Sequence, residues 1–271
     1  MNKQLLHSQF TVGALTVLAF ASLPTGSLLA ASKEEARGLE IASEWDKRDT
    51  GWKDSRTTLR MVLRNRHGDE SRRELRNRSL EVADDGDKLL IVFDQPRDVS
   101  GTAFLTFTHQ QGPDDQWLYL PALKRVKRIV SNNKSGPFMG SEFSYEDLAS
   151  QEVEKYTYKY LREESLNGRD SFVVERYPVD PKSGYTKQVV WFDQETYRPE
   201  KNEFYDRKGD LLKTLTYKEY KQYKGKYWRP DEMFMENHQT GKSTVLLWED
   251  YELDTGLDER DFDRNSLQRI R

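Results

Sequence analysis

Few residues of this 271-residue chain have the types and spacing that direct chemistry requires. Its four histidines, His7, His67, His109 and His238, are scattered, and no two of them have the i, i+4 spacing of a zinc site. The chain has no cysteine, which excludes thiolate nucleophiles, disulfides and cysteine metal ligands. We therefore predict no metal site and no cofactor.

One serine lies in a setting that only partly matches a nucleophile. The run Gly140-Ser141-Glu142 begins like a hydrolase elbow, but it lacks the closing glycine and falls in a predicted loop. A lipid esterase would have to pair Ser141 with His109 or His238, and no triad spacing supports that pairing. We predict no catalytic residue and keep the esterase as the weakest functional hypothesis.

Positive charge is concentrated at residues 124–128, where four lysines and arginines occupy five positions. Apolar residues alternate with these charges, which predicts a strand with one basic surface. Arg125, Lys127 and Arg128 are candidates to contact an anionic headgroup, a membrane surface or a protein partner. An ordinary solvated strand face explains the same charges equally well.

The loop that follows carries apolar side chains. Phe138, Met139, Phe143 and Tyr145 lie on a segment that need not be buried for a sheet to fold. Apolar groups on such a loop, with Gly140 among them, predict a mobile lid.

The acidic residues of the same loop have two interpretations. Glu142, Glu146 and Asp147 could bind a cation or act as a carboxylate pair, but an acidic loop opposite a basic strand more often forms an ion-paired closure. Ser144 stands three residues before Asp147, which is a weak form of the capping-box spacing. It predicts a short helical turn that carries Tyr145.

These two segments carry a family resemblance. WLYLPALKRVKRI, residues 117–129, and GPFMGSEFSYEDL, residues 136–148, resemble the signature segments of the bacterial outer membrane lipoprotein-sorting proteins. That family is related to the periplasmic lipoprotein carriers LolA and LolB, and the resemblance spans roughly residues 33–253. It implies a curved sheet with an apolar concave face that holds acyl chains, and cooperation with an inner-membrane transporter of the resistance-nodulation-division (RND) type.

A helix and a long series of strands must position these groups. Gly38, Ile41, Ala42 and Trp45 recur at helical spacing, which predicts an N-terminal helix of about fifteen residues packed on a sheet. Farther along, turn residues recur about every ten to fifteen positions with almost no helix between them, as in all-β folds. The spacing predicts a mainly β fold, a barrel or a sandwich. The family resemblance implies, more specifically, a highly curved antiparallel sheet, an unclosed LolA-like barrel, with short lid helices over its concave face.

The predicted ligand site combines strand and lid residues. Residues 88–93 and 102–108 are apolar on both faces, so both faces of these strands should be covered. Aromatic residues beyond those that the sheet needs for packing are candidates to line a cavity. The candidates are Phe104, Phe107, Trp117, Tyr119, Phe138, Met139, Phe143 and Tyr145.

The first 31 residues predict a secretory signal peptide. Lys3 precedes an uncharged apolar run at residues 12–23, and small residues permit cleavage after Ala30 or Ala31. The run is shorter than the roughly twenty residues of a membrane-spanning helix. Residues 32–271 are predicted to form one domain in the periplasm. The formal net charge of −3 argues against a nucleic-acid binder.

We therefore expect a periplasmic carrier, not an enzyme, that binds acyl chains of lipoproteins or lipids. Moving about sixteen methylenes out of water at roughly 0.8 kcal/mol each would contribute on the order of 12 kcal/mol before ordering costs. Expected partners are those acyl chains, an RND-type transporter and, transiently, a membrane, while the chain itself is expected to be a monomer. The alternative is a periplasmic sensor or interaction protein that binds a membrane-anchored regulator.

Overall fold

The computed structural model describes residues 31–269. The predicted signal peptide lies, apart from its last residue, outside the described residues, and so do Ile270 and Arg271. Within residues 31–269, no helix is long and apolar enough to cross a membrane.

The predicted N-terminal helix is confirmed as α1 (Lys33–Asp49). The Ser32 hydroxyl accepts a hydrogen bond from the Glu35 amide, and the Glu35 carboxylate accepts one from the Ser32 amide, which together form a capping box. Ile41 and Ala42 on the predicted apolar stripe are buried against the sheet. The helix therefore docks through the face that its sequence period defines.

Thirteen strands follow the helix, connected mostly by short turns. They are β1 (Asp54–Arg64), β2 (Glu70–Leu80), β3 (Lys88–Gln95), β4 (Ala103–Phe107), β5 (Asp115–Leu120), β6 (Arg125–Ile129), β7 (Tyr156–Leu166), β8 (Arg169–Pro178), β9 (Lys187–Asp193), β10 (Pro199–Tyr205), β11 (Leu211–Tyr223), β12 (Tyr227–Asn237) and β13 (Lys242–Leu253).

The strands form one antiparallel sheet in the order β6-β5-β4-β3-β2-β1-β13-β12-β11-β10-β9-β8-β7. Strands that are consecutive in sequence pair with each other, except for β6 and β7. In addition, β1 pairs with β13 in the interior of the sheet. The sheet thus consists of two meanders, β1–β6 and β7–β13, joined along this seam. β6 and β7 are its edges, and they do not pair with each other.

Contacts across the sheet require strong curvature. Thirteen strands at about 4.8 Å spacing would span roughly 58 Å if the sheet were flat. One buried cluster nevertheless contains Ile129 of β6, Leu246 of β13 and Phe204 of β10. The sheet therefore wraps around a shared concave interior without closing, which confirms the predicted fold class.

One connecting segment crosses this concave interior. Residues 130–155 must join the two edges of the sheet, and we call residues 131–150 the strap. The strap contains 3-10 turns at Ser131–Asn133, Phe138–Gly140 and Tyr145–Leu148, which correspond to the predicted lid helices.

The outer face of β3–β5 is covered by the C-terminal segment. Leu105 of β4 and Trp117 of β5 pack there with Leu257, Phe262 and Leu267. The last two lie in the 3-10 turns Glu259–Phe262 and Arg264–Arg269. Both faces of these strands are therefore covered, as their apolar sequence predicts.

Gly38 gives a stability test of the helix docking. A Cβ at this position would lie 2.8 Å from the backbone nitrogen of Tyr160 on β7, so the helix or the strand would have to move. We expect Gly38→Ala to lower the free energy of unfolding by about 1–3 kcal/mol in urea titrations. Ser43→Ala, on the exposed face of the same helix, should change it by less than about 0.5 kcal/mol. A more stable Gly38→Ala variant, as helix propensity alone predicts, would contradict this packing.

Candidate ligand-binding cavity

A buried ion pair holds the strap against the sheet. The Lys213 ammonium on β11 donates to Oδ2 of Asp147 over 2.6 Å and to the Glu142 carbonyl oxygen over 2.9 Å. The Lys213 and Asp147 side chains are only 4% and 6% exposed. The Tyr185 hydroxyl donates to Oδ1 of Asp147 over 2.8 Å. Burial, together with the Asp147 charge, raises the pKa of Tyr185 well above its ordinary value, so this donor keeps its proton.

The other two strap carboxylates accept hydrogen bonds from other parts of the chain. The Glu142 carboxylate accepts a hydrogen bond of 2.7 Å from the Asn237 amide of β12. Glu146 accepts bonds from the Ser183 hydroxyl and the Gly184 amide at 2.9 and 2.8 Å, and burial raises the pKa of Glu146. Within residues 31–269, no three His, Asp or Glu side chains group as metal ligands would. The acidic residues of the strap thus attach it to the sheet through an ion pair and hydrogen bonds, as the ion-paired interpretation predicts.

Two serines shape the strap backbone. The predicted capping box is present, because the Ser144 amide donates to Asp147 Oδ2 over 2.7 Å and the turn Tyr145–Leu148 follows. The buried Ser141 hydroxyl donates to the Phe138 carbonyl oxygen over 2.7 Å. A hydroxyl used in this way stabilises the loop.

The two histidines of the esterase hypothesis lie elsewhere. His109 Nδ1 is 2.9 Å from Oδ2 of Asp85, and His238 Nε2 is 2.7 Å from the Thr214 hydroxyl. Neither histidine is hydrogen-bonded to Ser141 in the described part of the chain. The geometry therefore assembles no serine–histidine pair.

Aromatic side chains of the strap fill part of the concave face. Phe138 is fully buried, and its ring centroid lies 5.2 Å from that of Phe104 and 5.8 Å from that of Phe93. Tyr145 also contacts Phe104, with ring centroids 5.7 Å apart, and Phe143 is buried in the same cluster. The apolar side chains of the predicted lid therefore pack against the concave core, with Phe138 and Phe143 buried and Met139 and Tyr145 partly buried.

An unfilled cavity of about 390 Å³ remains between the strap, α1 and the concave face. Its volume lies within the roughly 300–1,000 Å³ range of small-molecule sites. One wall is apolar and combines sheet and strap residues. It includes Leu59, Met61, Ile91, Phe138, Phe143, Leu148, Leu246 and Trp248.

Polar side chains also line the cavity, where β8–β11 turn their inner faces toward the strap, and we call them the polar wall. They are Arg176, Arg198, Asn202, Tyr217 and Tyr220, and apolar residues of the same region, among them Val190, Phe204 and Leu215, line the cavity beside them. Arg198 is ion-paired with Glu200 at 2.9 Å. Its guanidinium lies between two aromatic rings, 4.2 Å from the centroid of Tyr220 and 4.6 Å from that of Trp228. The cavity is therefore amphipathic.

The end of α1 forms one rim of this cavity. Arg229 of β12 is ion-paired with Asp49 at the helix end and donates to the Tyr251 hydroxyl over 3.1 Å. Its guanidinium also lies 5.9 Å from the Trp52 ring centroid. These contacts fix the helix end beside the cavity.

Asp87 lines the cavity just before β3. Burial, together with the neighbouring Glu152 carboxylate, raises the pKa of Asp87 to about 7. The Asp87 amide donates to the Ser150 hydroxyl over 3.2 Å, which links this turn to the end of the strap. The cavity thus contains a carboxyl group that titrates near neutral pH.

The structure divides the eight predicted ligand residues between two faces. Phe138 and Phe143 line the cavity. Phe104, Met139 and Tyr145 belong to the same concave cluster, and Phe104 lies beneath Phe138 and Tyr145. Five of the eight residues are therefore brought together around the strap.

The other three predicted ligand residues lie on the opposite face. Phe107, Trp117 and Tyr119 pack on the outer side of the sheet against the C-terminal segment. Side chains alternate between the two faces of a strand, which explains this correction. Phe107 is three residues from the inward-facing Phe104, and Trp117 is next to the inward-facing Leu118, so both point outward. These aromatic residues cover the outer core and do not line the cavity.

The basic residues Arg125, Lys127 and Arg128 lie on the edge strand β6 and are exposed. Arg128 forms an ion pair with Asp115 of the neighbouring strand, whereas Arg125 and Lys127 form none within residues 31–269. Charged edge strands also discourage unwanted strand pairing. A solvated surface and a partner surface both fit this placement.

The polar wall of the cavity is not among the residues predicted from the sequence. Arg176 is in phase with Phe172 and Val174 on β8, so strand alternation turns its guanidinium toward the same interior as two buried apolar side chains. A charged residue in phase with a buried stripe was the signal that could have identified this wall.

Comparisons with known proteins agree on a family. A family model described only as an uncharacterized protein matches residues 85–269. A domain from Vibrio parahaemolyticus named as an outer membrane lipoprotein-sorting protein is 62% identical, with a TM-score of 0.85, over 86% of this chain and 99% of that one. A DUF1329 family protein from Desulfovibrio piger is 31% identical, with a TM-score of 0.82, over 87% of this chain and 100% of that one.

A more distant structure shares the fold alone. A LolA superfamily protein from Nitrosomonas europaea is 23% identical, with a TM-score of 0.67, over 84% of this chain and 98% of that one. Among curated proteins, no sequence matches. The LolA-like architecture expected from residues 117–148 is thus supported by solved structures.

The buried ion pair of the strap gives a stability prediction. Lys213→Met leaves the Asp147 carboxylate buried without its cation, so we expect the free energy of unfolding to fall by about 3–5 kcal/mol. Lys218→Met on the same strand breaks the more exposed pair with Glu232 and should cost less than about 1 kcal/mol. Chemical denaturation measures both, and adding Asp147→Asn to Lys213→Met should recover part of the loss. Equal losses for the two lysine variants would contradict the anchoring role.

Asp87 gives a pH-dependence prediction. Because its pKa is raised from 3.8 to about 7, the folded state binds more protons than the unfolded state between these values, and stability falls as pH rises across them. Asp87→Asn should reduce this slope by at most about 1.4 kcal/mol per pH unit, measured by urea unfolding from pH 4 to pH 8. Ala83→Asn, an uncharged substitution at an exposed position of the same turn, should leave the slope unchanged. An unaltered slope in Asp87→Asn would show that other groups cause it.

Proposed function

The chain belongs to the outer membrane lipoprotein-sorting protein family, and on that premise we propose that it is a periplasmic carrier that binds acyl chains of lipoproteins or lipids. The bound chain would lie in the concave cavity against its apolar wall. The carrier would act in sorting to the outer membrane or together with an inner-membrane transporter of the RND type.

The observation that carries this proposal is the unfilled cavity beneath the strap. The cavity of about 390 Å³ presents the apolar side chains of Leu59, Met61, Ile91 and Leu246, and an apolar ligand would remove their surface from water. An acyl chain that enters removes its methylenes from water at roughly 0.8 kcal/mol each. The cavity therefore favours an apolar occupant.

The strap supplies a means of admitting longer chains. It is attached to the sheet through polar contacts, centred on the Asp147–Lys213 pair, and through the aromatic contacts of Phe138 and Tyr145 with Phe104. Displacing those rings would extend the apolar surface from the cavity to Phe104. Phe104, Phe138, Met139, Phe143 and Tyr145 are proposed as residues that contact the chain when the strap opens.

The basic edge of the sheet is the proposed contact surface for a partner. Arg125, Lys127 and Arg128 project from the edge strand β6, next to the beginning of the strap. A transporter or an anionic membrane surface bound there could influence the strap directly. Residues 1–31 are proposed to be the signal peptide, and residues 32–271 a single binding domain that acts as a monomer with transient membrane contact.

The same edge also favours the sensor alternative. Unpaired backbone groups on β6 and β7 can accept an added strand from a membrane-anchored regulator. A sensor would retain this protein partner in pull-downs from periplasm with lipid present or absent. A carrier would instead release an acylated cargo.

Ligand uptake tests the carrier proposal. We expect delipidated protein to bind a fluorescent fatty acid saturably, and Met233→Trp, which places a larger ring in the cavity, to weaken binding at least about tenfold. Phe234→Trp on the same strand, turned toward the outer face where Lys218 covers it, should leave affinity unchanged. Fluorescence titration measures all three proteins. Absence of saturable uptake by the wild type would refute the carrier.

A further inference from the structure

We propose that the polar wall of the cavity is a binding site for the anionic end of an amphiphilic ligand, and that Arg176 is its principal anchor. The inference rests on the proposed carrier function and names the chemical class of its ligand.

Arg176 differs from the other arginines of the cavity. Of the four that line it within residues 31–269, Arg48 pairs with Glu44, Arg198 with Glu200 and Arg229 with Asp49. The fourth, Arg176, is only 5% exposed and forms no ion pair with any carboxylate in the described chain. A buried guanidinium without a counter-charge is costly, and such groups normally have one.

The contacts of Arg176 leave it able to accept an anion. Its Nε and Nη2 groups donate to Gln188 Oε1 on the neighbouring strand, over 3.0 and 2.6 Å. The guanidinium carbon lies 4.6 Å from the centroid of the Tyr156 ring, which fixes the plane of the group. Nη1 makes no hydrogen bond within residues 31–269. The guanidinium is thus held in place with part of its donor capacity unused.

Neighbouring polar groups are also incompletely paired. The Asn202 amide donates to the same Gln188 oxygen over 2.9 Å, but its own Oδ1 is buried without a partner. The Tyr217 hydroxyl makes no hydrogen bond within the described residues, and burial raises the pKa of Tyr217 to about 12. It therefore remains a protonated donor at neutral pH. A ligand with acidic oxygens and a hydroxyl or bound water could satisfy these groups together.

The two walls of the cavity define the ligand between them. An oxyanion, either a carboxylate or a phosphate, suits the planar donor array of an arginine. The apolar wall around Leu59, Met61 and Leu246 suits a hydrocarbon chain attached to that oxyanion. Fatty acids and alkyl phosphates share this chemistry, whereas a neutral amphiphile would leave Arg176 without its counter-charge.

Matched amphiphiles test this site. Delipidated full-length mature protein is titrated with laurate, dodecyl phosphate and 1-dodecanol, each below its aggregation concentration, in competition with the fluorescent fatty acid. We expect the wild type to bind the two anions at least about tenfold more tightly than the alcohol. Arg176→Gln should abolish this preference and leave dodecanol affinity within about twofold of wild type. Arg176→Lys, which keeps the charge, should retain part of the preference.

The control variant is Arg60→Gln, since Arg60 lies exposed on β1 in a surface pair with Glu249 and should not affect the preference. Equal wild-type affinity for anions and alcohol would overturn the proposal while leaving the carrier function intact, and so would an anion preference that survives Arg176→Gln. Displacement of laurate by millimolar inorganic phosphate would also overturn it by reassigning the site to a free anion.

Failure of the wild type to bind any of the three amphiphiles would refute the carrier function itself. If Arg176→Gln does not fold, the wild-type ratio and Arg176→Lys still decide the matter.

Discussion

The position of the strap depends on one buried ion pair between the strap and the sheet. A thirteen-stranded sheet with a concave apolar face needs a covering layer, and α1 covers only the region of β7–β9. The strap covers much of the rest, and the Asp147–Lys213 pair fixes it there. Because breaking such a pair leaves a charge without compensation, the pair holds the strap in one register together with the buried rings of Phe138 and Phe143. The position of the cavity follows from that register.

The cavity lies between two groups of side chains that cover separate parts of the concave face. Phe138 and Phe143 occupy the interior along the first meander and the seam, while α1 occupies the interior of the last three strands of the sheet. Between these two covers lies the cavity, which is lined by apolar side chains and by polar ones that include Arg176. Apolar and charged groups therefore share one compartment.

Much of the fold was predictable because its determinants are local. Turn residues and period-two alternation located the strands, and the stripe through Ile41 and Ala42 located the helix. The site was harder, since it depends on which face of each strand is inside. Trp117 and Leu118 are equally apolar in sequence, and only the pairing of distant strands decides that Leu118 faces the strap. Arg176 was missed for a related reason, because a charge within a strand is normally read as solvent-facing.

The seam between β1 and β13 has a consequence for how the chain reaches this state. Asp54 accepts a hydrogen bond from Thr255, which is 201 residues away in sequence, and the two strands lie side by side along most of their length. Contacts of such separation form slowly, because a long loop must close before they contribute any stability. Each meander can assemble from its own hairpins, but β1 has no second neighbour until β13 pairs with it. A partly folded chain therefore exposes one edge of β1, and this edge can pair with other molecules until the two meanders join.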